Sequence, residues 1–460
     1  MIEAAVRERR GTRRPAADRA QQVWYGVQDR ALAATIVGLT AVAVALAGVA
    51  GLPTVLIYVL AAAPILVVVG SRYALVILAA AIGVRALVDN AGQLATGGIA
   101  VALIGLALLV SWRASSWLLV LFGISGFLVL SALYGAPRFG AAVTFGEAVR
   151  LISALSVVLI TINVSGRFTA FQLARIVQLV GFIPALVAIY QLITGTGSQI
   201  DGLNRAAGTL AQSNPAAALF ALCNLATFAL LLARAPRRGL NIAFLLVFVA
   251  AQAATGTISG VVTFLVMALV YVFTLRHARI ERVLLAVVGV ALVAYLAAQS
   301  DVGQSRLAEF TGPGADPLSK ENSLGWRIEA WGKVLDSWRQ HPIFGNGVGA
   351  TRGDIILVGN IPHNEYVRIL AENGVVGLAF VLGAAAVFGA RMLRTIGRTT
   401  DVAPSFALAV LAGTFVNAIA ANTFLYSTTF YLTLFVLAGC WRLANEPAPA
   451  ADPTPDEALG

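Results

Sequence analysis

SNPAAALFALCNLATFALLLA, residues 213–233, carries no charged side chain from end to end. Wound as an α-helix at about 1.5 Å per residue, such a run is roughly 30 Å long, the thickness of a bilayer's hydrocarbon core. Its apolar residues are continuous rather than alternating, which excludes a strand of a membrane β-barrel. The run is therefore read as a membrane-spanning helix. Working outward, runs of the same kind recur at 31–50, 54–70, 73–88, 97–112, 116–133, 147–164 and 171–193 before it. After it come 239–254, 256–275, 282–300, 374–393, 403–421 and 424–442. With a mean hydropathy of +0.84 and only 12% charged residues in 460, the chain is expected to be all-α. The expected architecture is a polytopic membrane bundle of about 12–14 transmembrane helices. One large extracytoplasmic loop with short amphipathic helices interrupts it.

The boundaries follow from where the runs stop. Residues 1–30 (MIEAAVRERRGTRRPAADRA…) are basic and polar, with no adjacent cleavage site, and read as a cytoplasmic tail. Residues 31–300 form an N-terminal transmembrane bundle, and 301–373 the extracytoplasmic loop. Residues 374–443 hold the C-terminal transmembrane helices, and 444–460, Pro-rich and acidic, a disordered cytoplasmic tail.

A net charge of +10 raises the possibility of a nucleic-acid partner. The placement of the arginines removes it. With the N-terminus inside, Arg72, Arg113, Arg167, Arg175, Arg234, Arg237, Arg238, Arg276, Arg279 and Arg282 all fall in alternate connections. Arg391, Arg394 and Arg398 continue the series, and in total 21 of the 30 arginines lie on one side. That is the positive-inside pattern, so the excess charge is topological. Both termini are then cytoplasmic. The two cysteines, Cys223 and Cys440, sit inside apolar runs and suggest neither a disulfide framework nor a metal pattern.

This orientation leaves two long polar connections outside, 194–212 and 301–373. In the second, Trp326, Ile328, Trp331, Val334, Leu335 and Trp338 recur at helical spacing. They make one face of an amphipathic helix, suited to the membrane interface, with Arg327 snorkelling beside it. HPIFGNGVG (341–349) follows: Pro342 stops the helix, and three glycines permit a tight turn. Glycine-rich turns also cradle phosphates. No preceding strand and no Gly-Lys-Ser/Thr accompany this one, so it reads as a plain turn, with His341 structural.

NIPHNEYVRILAENG (360–374) opens the next run. His363 falls at the start of a helix, where the macrodipole keeps an imidazole neutral and available as a general base. The plainer alternative is a polar helix cap. Glu365, Arg368 and Glu372 have the spacing to pair within that helix. In the shorter outer connection, Arg205 stands close to the hydrocarbon, where it either snorkels or meets an anion. Glu147 and Arg150, at the outer end of another run, can pair with each other.

Taken together the motifs are more specific than any one of them. Arg-x-x-Gly-Thr…Asn-Pro (205–215) opens one run; Trp-Arg-x-x-x-Trp (326–331) and Pro-x-x-Gly-x-Gly-x-Gly (342–349) follow in the long loop. His-Asn-x-Tyr…Glu-x-Gly-x-x-Gly (363–377) opens another run. Across about 200–380 this resembles the O-antigen ligase and Wzy-type polymerase superfamily of bacterial envelope glycosyltransferases. The resemblance implies a multi-pass protein of the bacterial plasma membrane with an extracytoplasmic active site. It implies no metal and no cofactor. The donor would be a polyprenyl-diphosphate-linked glycan, and the acceptor a glycan or glycolipid met among membrane lipids; nucleic acid has no part. By position, Arg205 and Arg327 would hold the donor diphosphate and His363 would be the catalytic base. Family members often carry Ser-Arg where this chain has Ser259-Gly260.

The chemistry suits these residues on its own account. A departing diphosphate accumulates negative charge, and arginine offers fixed bidentate donors for it. The outer loops hold few carboxylates in metal-ligand spacing. An acceptor hydroxyl that attacks the anomeric carbon must lose a proton, which His363 can take. Two other classes compete. A flippase or transporter of lipid-linked sugars would call for ionisable residues within the spans and internal symmetry, and neither stands out. A peptidoglycan polymerase of the shape, elongation, division and sporulation type would use an outer acidic residue instead of the His-Asn pair.

Overall fold

The computed structural model describes residues 73–89, 93–111, 115–164, 168–200, 203–275, 304, 323–352, 355–357, 361–396 and 402–445. The chain divides into two compact units, 1–74 and 75–460, and only the last two residues of the first are described. The expected spans 31–50, 54–70 and 282–300, the loop residues 305–322, the tail 1–30 and residues 446–460 of the other tail lie outside the described residues.

Among the described residues the fold is helical. The elements are α1 (Tyr73–Leu87), α2 (Gln93–Ser111), α3 (Ser115–Phe139), α4 (Ala141–Asn163) and α5 (Ala170–Thr194). A small antiparallel hairpin follows, β1 (Ser198–Ile200) and β2 (Leu203–Arg205), pairing Ser198 with Arg205. Then come α6 (Ser213–Leu232), α7 (Arg238–Ala254), α8 (Ile258–Thr274), α9 (Ser323–Gln340), α10 (Glu365–Ile396), α11 (Ala403–Ala420) and α12 (Ser427–Asn445). Six of these helices are long and apolar enough to cross a bilayer. The protein is a polytopic α-helical membrane protein, and each expected span among the described residues coincides with a helix to within a few residues at most ends.

Helix α6 is the most enclosed of the six, in contact with α5, α7, α8 and α12. Small residues set these crossings. A Cβ on Gly181 of α5 would overlap the Cys223 sulfur, and one on Gly260 of α8 would overlap Ala217. Close backbone approach of this kind is how helices gain packing where lipid is as apolar as leucine. Helices α3 and the apolar part of α10 are the opposite case, largely exposed along their length. Apolar faces of that kind are suited to lipid.

Polar connections gather at two ends. At one, Arg175 donates to Asn241 and to the Pro236 carbonyl, Ser405 donates to Thr274, and Arg442 donates to Val164. At the other, Thr209 donates to Ala86, Arg205 to Thr255, and Thr428 to Asp89. Among the described residues, the arginine-bearing connection Arg234–Arg238 lies at the first end, beside Arg175.

Helix α10 is broken where the long loop meets the membrane run. Gly374 has φ 65° and ψ −167°, separating Glu365–Asn373 from the apolar segment after it. A break leaves backbone groups without partners on both sides. The turn 341–349 supplies them. Asn346 and Gly347 N–H donate to the Ala371 and Glu372 carbonyls, and Val375 and Val376 N–H donate to Pro342 and Ile343. Gly347, at φ 105°, also passes so near α3 that a Cβ would lie 2.8 Å from the Gly135 Cα. The glycines of this turn are there for close approach.

Candidate active site

Helix α9 was expected to lie in the membrane interface; part of its apolar face is covered by protein, while Ile328 stays exposed. Ala330 and Val334 are buried with Leu357 and Ala371, and Trp326, Trp338 and Val367 pack around them. A helical period shows that a face is covered without showing what covers it. The tryptophan N–H groups serve turns: Trp331 Nε1 donates to the Pro362 carbonyl at 2.6 Å, and Trp338 Nε1 to Pro342 at 3.0 Å.

That first bond positions His363. The indole of Trp326 meets the imidazole edge-on, with ring centroids 6.0 Å apart. His363 has φ 50°, in the left-handed region, so the chain turns sharply just before α10 begins. The helix cap is its neighbour. Asn364 Oδ1 accepts from Val367 N–H at 3.1 Å, and the Asn364 carbonyl takes the first helical bond from Arg368. His363 is thereby freed from the capping role. Burial, and then the nearby Arg327 guanidinium, push its pKa down to about 4, so the imidazole is neutral across the physiological range. Its Nδ1 is buried without a hydrogen-bond partner among the described residues.

Two of the three expected site residues, Arg327 and His363, are thus brought together by α9 and the turn before α10. Arg205 ends strand β2 on another connection. Its guanidinium donates to the Thr255 carbonyl at 3.2 Å and to Thr257 Oγ1 at 2.7 Å, with Asn214 Oδ1 at 3.4 Å. The same region explains the Ser259-Gly260 departure. Gly260 is pressed against Ala217 and Gln252, leaving no room for an arginine side chain there.

Between the two groups lies an ionic network that the local pairings only hinted at. Glu147, fully buried in α4, bonds not just to Arg150 but to Arg352 at 2.9 Å and Arg368 at 3.2 Å. Arg368 also pairs with Glu365 and, at 2.9 Å, with Glu372. The Glu365 and Glu372 carboxylates are held further by Phe424 N–H and by Thr351 Oγ1. Buried charges persist only when paired and hydrogen-bonded in this way. Phe424 belongs to the α11–α12 connection, where Tyr426 donates to Gln212 at 2.7 Å. Burial, with Glu365 nearby, pushes the Tyr426 phenol well above its usual range. This connection bridges the segment after Arg205 and the helix after His363. Arg352 carries no sequence signal beyond lying in the long polar loop, and Tyr426 falls within the apolar run 424–442.

His341 is structural, as expected. Arg138 donates to its Nε2 at 2.8 Å, so Nδ1 bears the proton and donates to Tyr134 at 3.2 Å. Beside it, Phe127, Leu130, Tyr134, Ile343 and Phe344 line an apolar groove of about 580 Å³.

Residues 239–382, from α7 into the apolar part of α10, match the family model described as O-antigen ligase. The chain carries an O-antigen ligase family domain. The domain includes Arg327, Arg352 and His363, while Arg205 and Glu147 lie before it. No curated protein matches the chain. The O-antigen ligase domain supports membrane glycosyltransferase activity of that type.

Proposed function

We propose that the protein moves a glycan from a polyprenyl-diphosphate carrier to an acceptor glycan or glycolipid, at the outer face of the bacterial plasma membrane. The observation that carries this reading is a buried His363, released from capping by Asn364, with the Arg327 guanidinium near enough to depress its basicity, both inside the stretch that matches the O-antigen ligase model. The acceptor hydroxyl oxygen attacks the anomeric carbon as the bond from that carbon to the diphosphate oxygen breaks. The electron pair leaves with the diphosphate, whose charge Arg205 and Arg327 neutralise. The hydroxyl proton passes to His363. A single displacement inverts the anomeric centre. The apolar groove beside Tyr134 is suited to a section of the polyprenyl tail.

The environment of His363 also suggests an order of events. In the free protein Arg327 helps keep the imidazole a weak base. A diphosphate on Arg327 offsets that charge and raises the basicity of His363 when donor is bound.

Donor binding and single-turnover transfer, measured on variants in one detergent preparation, test the assignment. Replacing Arg205 or Arg327 with Ala should weaken donor binding and turnover together, with poor rescue by Lys. His363→Ala should keep donor binding while turnover falls about 10²–10⁴-fold. A fully active His363→Gln protein would return the histidine to the scaffold.

A further inference from the structure

Glu147 is bonded by three guanidiniums, and the three are not alike. Arg150 and Arg368 are buried with it, and both have further partners inside the protein: Arg150 the Phe424 carbonyl, Arg368 the carboxylates of Glu365 and Glu372. The Arg352 guanidinium makes one bond among the described residues, from a terminal nitrogen to Glu147 Oε2 at 2.9 Å, and the side chain is 43% exposed. A counter-ion that served only to neutralise Glu147 would be enclosed with it, as the other two are. Arg352 instead keeps one nitrogen on a buried carboxylate while much of its side chain stays exposed.

Its backbone is equally fixed. Arg352 ends the single 3₁₀ turn Ala350–Arg352, and Thr351 in that turn donates to Glu372 through both its N–H and its hydroxyl. A guanidinium tethered at one end and anchored at its backbone loses little freedom when it meets an anion.

The turn also lies with the segments already assigned to the site. From Arg352 an unbroken series of bonds runs through Glu147 and Arg368 to Glu365, two residues past His363. Glu365 holds Phe424, and the same connection reaches, through Tyr426, to Gln212, seven residues past Arg205. The charge of Arg352 is felt at Tyr426.

We propose that Arg352 is a third anion-binding arginine of this site, taking a phosphate oxygen of a lipid-linked substrate, with Glu147 as the residue that positions it. The proposal rests on the glycosyltransferase reading above. The phosphate belongs either to the donor's diphosphate or to a phosphorylated glycolipid acceptor; the chemistry is shared, and the test separates the two.

The experiment uses the full-length protein in detergent, with polyprenyl diphosphate lacking a glycan as the binding probe and transfer kinetics run against both substrates. If the donor phosphate is the ligand, Arg352→Ala weakens polyprenyl diphosphate binding about tenfold to a hundredfold, as expected for a lost charge-assisted bond, and Arg352→Lys recovers little. If the acceptor phosphate is the ligand, probe affinity holds and the acceptor KM rises by a similar factor. Because removing Arg352 alone unbalances Glu147, the double variant Glu147→Gln/Arg352→Gln, which removes both charges, is measured beside it. A double variant with native probe affinity and native acceptor KM overturns the proposal and leaves Arg352 a structural counter-ion. Failure of the underlying reading looks different: the wild-type protein would not bind the probe, and Arg205→Ala and Arg327→Ala would be equally silent.

Discussion

The indole nitrogen of Trp331 and the carbonyl oxygen of Pro362 are 2.6 Å apart, so the turn that carries His363 hangs from the helix that carries Arg327. One hydrogen bond thereby couples the relative placement of an anion-binding group and a base. Trp331→Phe keeps most of the packing and removes the donor. Loss of such a bond is worth about 1 kcal/mol, so single-turnover transfer should fall about threefold to tenfold while the protein stays monodisperse. Unchanged transfer in the Phe variant would show that the turn is held by other means.

The pH dependence follows from the low pKa of His363. The base must be deprotonated, so rate is lost as pH falls through its pKa. In kcat/KM, which reports the free enzyme, that acid limb should lie near 4 rather than 6.5. Arg327→Gln removes one of the two causes of the depression and should move the limb upward, though not all the way, because burial persists. A limb at 6.5 in the wild-type protein, indifferent to Arg327→Gln, would contradict the assignment of His363 as base.

Arg368 bonds to Glu147, Glu365 and Glu372 while almost wholly enclosed. Arg368→Met strands the Glu365 and Glu372 carboxylates, while Glu147 keeps Arg150 and Arg352; breaking a buried pair this way costs about 3–5 kcal/mol. Thermal unfolding followed by size-exclusion should show a large drop. Arg368→Lys should recover only part of it, since a single ammonium cannot span three carboxylates. A Met variant as stable as wild type would mean the network is neutralised by proton uptake instead.

Topology is checked with single cysteines in a background lacking Cys223 and Cys440. Asp336→Cys on exposed α9 should react with an impermeant thiol reagent in intact cells, and Gly239→Cys, at the arginine-marked end, should not. The reverse pattern would invert the protein and move the site to the cytoplasm.

Charge neutralisation by arginine also predicts how the reaction responds to chelators. Transfer by the purified protein should survive excess EDTA. Activity lost to EDTA and restored by Mg²⁺ or Mn²⁺ would count against the arginine-based site.

The sequence alone determined the spans. Whether about 20 residues can cross a bilayer depends on their own hydrophobicity against a fixed thickness, and residues 213–233 need no neighbour to answer that. Arginine placement makes a topological expectation legible for the same local reason, and the cysteine labelling above tests it. The spacing of Trp326-Arg327 and of Pro362-His363-Asn364 made the candidate residues legible as a motif. Only the tertiary structure decided what meets what. Ala330 and Val334 of α9 pack on α10 and residue 357, the cap is Asn364 rather than His363, and the glycines of 345–349 close a helix break. Glu147 gathers Arg352 and Arg368 from more than 200 positions away. Periodicity and hydropathy are properties of neighbours in the chain, whereas a buried ion network depends on which helix ends arrive at the same depth.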